Sequence, residues 1–356
     1  MKKQAFILLL SISWIWACED RGQQEPLAEN APELFVPSIS KTLNVGSFPQ
    51  PDRNPMSKEG VLLGKKLFFD TNLSSNGKVS CASCHQPQLA FTDAVPLADH
   101  GVTGIELDRH APPLFNLAWN TTGLFWDGGA HDLESLNFGP LTHPNEMGAD
   151  LTAVLLYLNQ EEEYLNLFEK AFPATPIQSA TMSRAIAQYT KTLISQTSRY
   201  DLWMNGEIEF NSLELKGYEI YQANCSSCHE EGLFTDLSYH NNGLDESYPD
   251  PIDKEGVFLG RFRISHDSLD LGAYKTPSLR NITLTAPYMH DGRFSNLDEV
   301  FNHYSSGIKQ NSSLAPQLKD GIPLNKEEKE ALITFLKTLQ DDQFIQKHLQ
   351  DNPDLP

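Results

Sequence analysis

"CASCH", Cys81 to His85, and "CSSCH", Cys225 to His229, use four of the chain's five cysteines. In each, two thiols three residues apart can add across the two vinyl groups of one haem. The next residue, a histidine, is then held beneath the iron as its proximal ligand. A bare C-x-x-C would also suit a zinc half-site or a redox pair. The trailing histidine, present in both copies, argues against each of these. Two covalently bound c-type haems are therefore expected, on Cys81, Cys84 and His85 and on Cys225, Cys228 and His229.

The fifth cysteine, Cys18, closes a processing signal. Lys2 and Lys3 precede the apolar run "AFILLLSISWIWA", which is too short to span a bilayer comfortably and reads as an export signal over 1–17. Small Ala17 directly before Cys18 suits cleavage that leaves a lipidated cysteine; plain secretion is the alternative. The stretch 18–45 reads as a lipidated N-terminus and polar tether. No cysteine is left for a disulfide, although an exported protein could form one.

The 356 residues suit two domains of ordinary size, and a hydrophobic content of 40% is enough for a real core. With 27 Lys and Arg against 47 Asp and Glu, the formal charge is −20. Phosphate binding needs concentrated positive charge, so nucleic acid is excluded as a partner. The acidity fits an exported soluble body and a basic docking partner, or solubility alone.

Each C-x-x-C-H is followed by a related stretch. "PPLFNLAWNTTGLFWDGGAHDLE" covers 112–134 and "PSLRNITLTAPYMHDGRFSNLDE" covers 277–299. Both read P-x-L-x-N, then a ring before Asp-Gly, then Leu and an acid. "LGKKLFFD" and "LKGYEIYQ", ahead of the two motifs, match as amphipathic helix starts. The fold is therefore expected to be mainly α: two cytochrome c-like haem domains related by an internal repeat, with long irregular loops such as "HNNGLDESYPDPIDKEG". The expected units are 46–203 and 204–345, with the boundary near "SRYDLWMNGEIEF" after a helical stretch 178–197, and a tail over 346–356. Helical spacing also marks "MGADLTAVLLYLNQ" and "NKEEKEALITFLKTL", the latter with Asn325 and Glu328 as N-cap and capping box. No alternating run suggests a large sheet. The ring position of the repeat holds Trp126 in one copy and His290 in the other; a buried core residue is the ordinary reading of such a Trp.

These pieces together resemble the bacterial dihaem cytochrome c peroxidases and their relative, the methylamine-utilisation enzyme MauG, over roughly 55–340. The residues that carry the resemblance are "LGKKLFFD", "SCASCH", "FTD", "PPLFN", "FWDGG", "GPLTHPNEMG", "CSSCH", "TPSLRNITLTAPYMHDG" and "LDEVFNHY". The resemblance implies a peroxidatic first haem and an electron-transfer second haem. It places Trp126 between the haems and Glu146 over the open first iron, where a carboxylate can move a proton. Read without it, Glu146 would be an acid at the start of the following helix.

Tyr304 stands where the peroxidases carry a distal Met on the second haem and where MauG carries a Tyr. A hard anionic phenolate favours the oxidised iron, whereas a soft thioether favours the reduced one. Such a haem would share oxidising equivalents with the first through Trp126; an unligated packing Tyr is the alternative, and Met289 a weaker ligand candidate. Leu136 replaces a pocket Gln of MauG. The family's interdomain calcium would use the Thr285 and Pro287 carbonyls, but its Asn position is His110, and neutral imidazole suits a hard cation poorly. His100 is the nearest candidate for a distal His on the first haem and reads as a surface residue, leaving that haem open without prior reduction. His131, His143, His240, His266, His303 and His348 carry no assignment.

The implied function is reduction of hydrogen peroxide to water with electrons passed from the C-terminal to the N-terminal haem. The donor would be a small cytochrome or cupredoxin, or a quinol-linked donor. The alternatives are MauG-like oxidation of a partner protein or organic substrate through a two-haem high-valent state, and a non-enzymatic dihaem electron carrier. The expected location is the periplasm or cell envelope, attached to a membrane by the Cys18 lipid only, with a homodimer as the expected self-association.

Overall fold

In the computed structural model, which describes residues 31–249 and 256–349, each C-x-x-C-H is framed by a pair of crossing helices. The export signal and Cys18 lie outside the described residues. In the first half, helix Lys58–Phe69 packs on helix Ser179–Lys191, and in the second, helix Ser212–Asn224 packs on helix Lys326–Thr338. A glycine permits each crossing. A Cβ on Gly64 would lie 1.9 Å from the Ala185 carbonyl oxygen, and one on Gly217 would lie 2.0 Å from that of Ala331. These glycines fall within the two matched segments "LGKKLFFD" and "LKGYEIYQ", so the repeat is physical as well as textual. As expected, Asn325 caps its helix by accepting from the Glu328 N–H at 3.0 Å.

Two separate apolar cores result. One gathers Leu63, Leu67, Phe68, Phe91, Met182 and Tyr189; the other gathers Tyr200, Tyr221, Phe234, Leu332 and Phe335. The rest is mainly helix and loop, and the described sheet is a single antiparallel pair, Tyr239–His240 with Tyr274–Lys275. Among the described residues, no helix is long and apolar enough to cross a membrane.

Three boundaries differ from the sequence expectation. The tether expected over 18–45 is built into the body from residue 34 onward. The Phe35 N–H bonds the Met56 carbonyl at 3.0 Å, and Leu43 is fully buried in a cluster with Phe48, Met56, Trp119 and Leu233. The tail expected from 346 is instead part of helix Asp342–Leu349. Its Phe344 and Ile345 join the first core, and Phe344 packs on Phe91 at 5.8 Å. Both segments are amphipathic and short of partners in sequence; only the assembled halves offer an apolar surface to cover. Helix Ser179–Lys191 also stops short of 197, because the backbone over 193–197 turns to bond Asn116 and Asp341.

A buried ion pair ties the N-terminal segment to the second half. Arg280, fully buried, binds Asp201 through two bonds of 2.8 Å and the Gly232 carbonyl at 2.7 Å. Asp201 also accepts from the Thr42 hydroxyl at 2.6 Å and from Ser198. Burial pushes the Asp201 carboxyl up, but Arg280, Ser198 and Thr42 together hold it below its usual range. Its contribution to stability is therefore present at neutral pH and is lost as pH falls through the depressed value. Arg280→Met leaves that charge buried and unpaired, and should destabilise the holoprotein by about 3–5 kcal/mol. A lowered denaturant midpoint, larger than that of an exposed Arg→Met control, checks this.

Candidate functional site

The first motif forms one helical turn, Cys81–Cys84, after Ser80. The His85 N–H bonds the Cys81 carbonyl at 2.9 Å, closing that turn. The ring is then oriented through Nδ1, which lies 2.9 Å from the Phe91 carbonyl, with the Pro112 carbonyl also facing it. Phe91 presents this oxygen from the left-handed region, at φ 62°. Burial lowers His85 to about 4, so the ring is neutral and Nε2 keeps its lone pair. A carbonyl on the far nitrogen is the usual way to set tautomer and orientation of a metal-binding histidine.

The second motif repeats this. The His229 N–H bonds the Cys225 carbonyl at 2.9 Å, and Nδ1 lies 3.2 Å from the Phe234 carbonyl and 3.1 Å from that of Pro277. Pro112 and Pro277 are the first residues of the two P-x-L-x-N copies, so one stretch of the repeat exists to face the proximal histidine. None of the four motif cysteines is in a disulfide, and burial pushes Cys81, Cys84 and Cys225 up to about 12. The residues fit two c-type haems on these observations.

A cavity of about 350 Å³ opens beside the first motif. Cys81, Cys84, His85, Trp126, Leu136 and Glu146 all line it. Trp126 is buried, and its indole N–H donates to the His110 carbonyl at 2.8 Å. The His110 N–H donates in turn to the carbonyl of His290, the counterpart of Trp126, at 2.8 Å. His290 stacks on Tyr274 with ring centroids 3.6 Å apart. One backbone residue thus joins the two copies of the ring position.

Glu146 sits in a turn, and the following helix Leu151–Gln160 is capped by Asp150, whose carboxylate accepts from the Thr152 N–H at 2.8 Å. Glu146 is therefore outside the first turn of that helix. Burial raises its carboxyl above the ordinary carboxylate range, and His143 pulls the other way from 3.5 Å. Sequence reasoning left His143 unassigned; the H-P-N-E spacing at i, i+3 was the available signal. Leu136 and Phe125 are among the apolar residues that line the same cavity. His100 is exposed, paired with Asp99 at 3.0 Å, and outside the cavity lining.

Tyr304 lies in a π-helical turn, His303–Gly307, beside Cys225 and Cys228, with its hydroxyl facing Asn242. Single π turns often mark functional sites. Burial pushes this phenol up to about 12, so a phenolate there needs a cation to hold it. The Met289 sulfur accepts from the Asn242 side chain at 3.4 Å. Cys228, Asp236 and His240 are the one group of three metal-capable side chains found among the described residues, and Cys228 belongs to the second motif.

At the expected calcium position, the His110 side chain is engaged with protein groups. The His110 ring places Nδ1 2.9 Å from the Val95 carbonyl and 3.4 Å from Asp93, and Nε2 3.4 Å from the Thr92 hydroxyl.

Residues 58–209 match the family model of the di-haem cytochrome c peroxidases. The chain is 37% identical over 300 residues to the methylamine utilization protein MauG of Methylorubrum extorquens, covering 83% of this chain and 82% of that relative. It is 31% identical over 291 residues to the cytochrome c551 peroxidase of Nitrosomonas europaea, covering 81% and 82%. Among solved structures, a MauG-like protein associated with microbial copper homeostasis superposes with a TM-score of 0.79 at 32% identity, covering 87% of this chain and 97% of that one. Intact-mass spectrometry of the exported protein should show two haem increments, and Cys81→Ala with Cys84→Ala should remove one of them.

Proposed function

The chain belongs to the di-haem cytochrome c peroxidase family, and on that premise we propose that it reduces hydrogen peroxide to water with electrons from a redox partner. The observation that carries this reading is the placement of Glu146 on the same cavity as His85, with a carboxyl that burial raises. Haem bound through His85 would supply the iron at which peroxide binds and its O–O bond breaks, and haem at His229 a store for the electrons. Glu146, as carboxylate, would accept a proton from bound peroxide and return it to the departing oxygen. The apolar wall at Leu136 and Phe125 limits competing water. Trp126, pinned through its N–H, stands on the route between the two motifs.

Electrons come from a small cytochrome or cupredoxin, or a quinol-linked donor, and the charge of −20 favours a basic docking face on it. The protein works in the periplasm, and Cys18 is the proposed lipid attachment. A homodimer is the proposed assembly. The proposed domains are 46–203 and 204–345, extended by the packed segments on either side. No calcium is assigned a part: the His110 ring turns to protein groups. Dialysis against a chelator should therefore leave the optical spectra and peroxide turnover unchanged, and added calcium should restore nothing.

Tyr304 beside Cys225 and Cys228 favours a second reading, oxidation of a partner protein or organic substrate in the manner of MauG. We assign Tyr304 as the distal ligand of the second iron. Tyr304→Met replaces a hard anion by a soft thioether and should raise that haem's reduction potential in spectroelectrochemistry. An unchanged potential removes the ligand assignment.

Glu146→Gln should lower kcat/KM for peroxide by about 10²–10⁴-fold while haem content holds. The wild-type profile should lose activity as pH falls through the Glu146 value, at a pH above the ordinary carboxylate value of about 4.3. The Gln variant should lack that limb.

A further inference from the structure

Peroxide reduction consumes two protons with its two electrons, as H2O2 + 2 e− + 2 H+ → 2 H2O. Glu146 can carry one proton between the two peroxide oxygens, but the net protons must enter from outside. Its side chain is 33% exposed and opens on the cavity beside His85, and burial raises its carboxyl. Leu136, Phe125, Pro140 and Met147 line the same cavity and offer no titratable group.

His143 is placed to fill that gap. It lines the same cavity, its side chain is 47% exposed, and its Nδ1 lies 3.5 Å from Oε1 of Glu146. The same nitrogen lies 3.4 Å from the backbone N–H of Asn145. It therefore has one acceptor for its protonated state and one donor for its deprotonated state. The turn that presents both residues is closed by the His143 carbonyl, which accepts from the Glu146 N–H and the Gly148 N–H, each at 3.0 Å. It is held from the other side by the Val102 N–H, which donates to the Glu146 carbonyl at 2.8 Å. Gly101 admits this approach, since a Cβ there would lie 1.8 Å from the Asn145 carbonyl oxygen.

We propose that His143 is the proton relay between solvent and Glu146, a positioning residue that recharges the acid–base group each turnover. Nδ1 passes a proton to Oε1, and the exposed ring is reprotonated from water. The other titratable groups facing Glu146 are the sulfurs of Cys81 and Cys84, which carry no charge once they are thioethers. The proposal rests on Glu146 acting as the proton acceptor in the reading above.

The test uses the full-length dihaem protein and two readouts. One is the stopped-flow Soret change with peroxide across pH; the other is the rate of cyanide binding to the ferric first haem, which also needs a proton moved from the incoming HCN. His143→Gln should slow both about 10-fold or more at neutral pH, with unchanged haem content, and imidazole in the buffer should restore much of the loss. His143→Asn, with a shorter chain, should behave alike. If both variants match wild type in rate and pH profile while Glu146→Gln is impaired, the relay is overturned and the peroxidase reading stands. A loss that imidazole leaves untouched also overturns it, since that loss is structural. If Glu146→Gln is itself unimpaired, the assignment of Glu146 falls and the relay with it.

Discussion

A buried knot of polar groups around Ser195 is the constraint on which the rest of the structure depends. Asn116 donates to the Ser195 carbonyl at 3.0 Å and accepts from the Ser195 N–H at 2.9 Å. Asn281 donates to the Ser195 hydroxyl at 3.0 Å and accepts from the Asp341 N–H at 2.8 Å. Asp341 takes the Ser195 hydroxyl at 3.0 Å and the Gln196 and Thr197 N–H groups. Asn116 and Asn281 are the last residues of the two P-x-L-x-N copies, and both sit in the left-handed region, at φ 57° and 56°, which Asn tolerates better than most residues. Each clamps the chain leaving the long helix of its own half, at Leu193 and at Leu339. Asn116, Ser195, Asn281 and Asp341 are all buried, so removing one of these side chains leaves several groups without water or protein to bond. The first residue of each copy, Pro112 or Pro277, meanwhile faces the proximal histidine. Five residues therefore link haem orientation to the packing of one half on the other.

The duplication explains why the two sites differ where they do. The clamps, the crossing glycines and the histidine-orienting carbonyls are matched in both copies, because each is a backbone requirement of the same scaffold. Side chains that touch no scaffold group are free to diverge. Trp126 and His290 occupy one position, yet the indole lines the first cavity while the imidazole stacks on Tyr274. Asp127 and Asp291, next along, hold different cations: Arg109 and Arg263 for the first, Arg293 for the second.

Much of this was legible in the residues because covalent chemistry leaves little choice. Two thiols, a histidine and a repeated P-x-L-x-N carry their meaning in their spacing. The mainly helical class followed from periodicity, and the crossing glycines lay within stretches already matched. What could not be read is what depends on assembled surfaces. Phe344 and Ile345 fell at the end of the expected second unit, and only the finished first core shows what they cover. Leu43 looked like part of a tether because nothing local reveals the groove between Met56, Trp119 and Leu233. His110 was legible as a departure, but its turn toward Val95 and Asp93 required the fold.

The candidate acid–base group illustrates the same division. Its identity came from a short motif, but its chemistry comes from three separate pieces of chain. The Gly101–Val102 backbone pins the turn, the first motif's sulfurs and the apolar wall desolvate the carboxyl, and His143 supplies the opposing pull. Burial raises the carboxyl and so favours its neutral form. A cation-capable ring at one edge offsets part of that rise, and it does so from the solvent side of the cavity. The competition between those two effects, and not the presence of a carboxylate as such, is what the proposed proton transfer by Glu146 draws on.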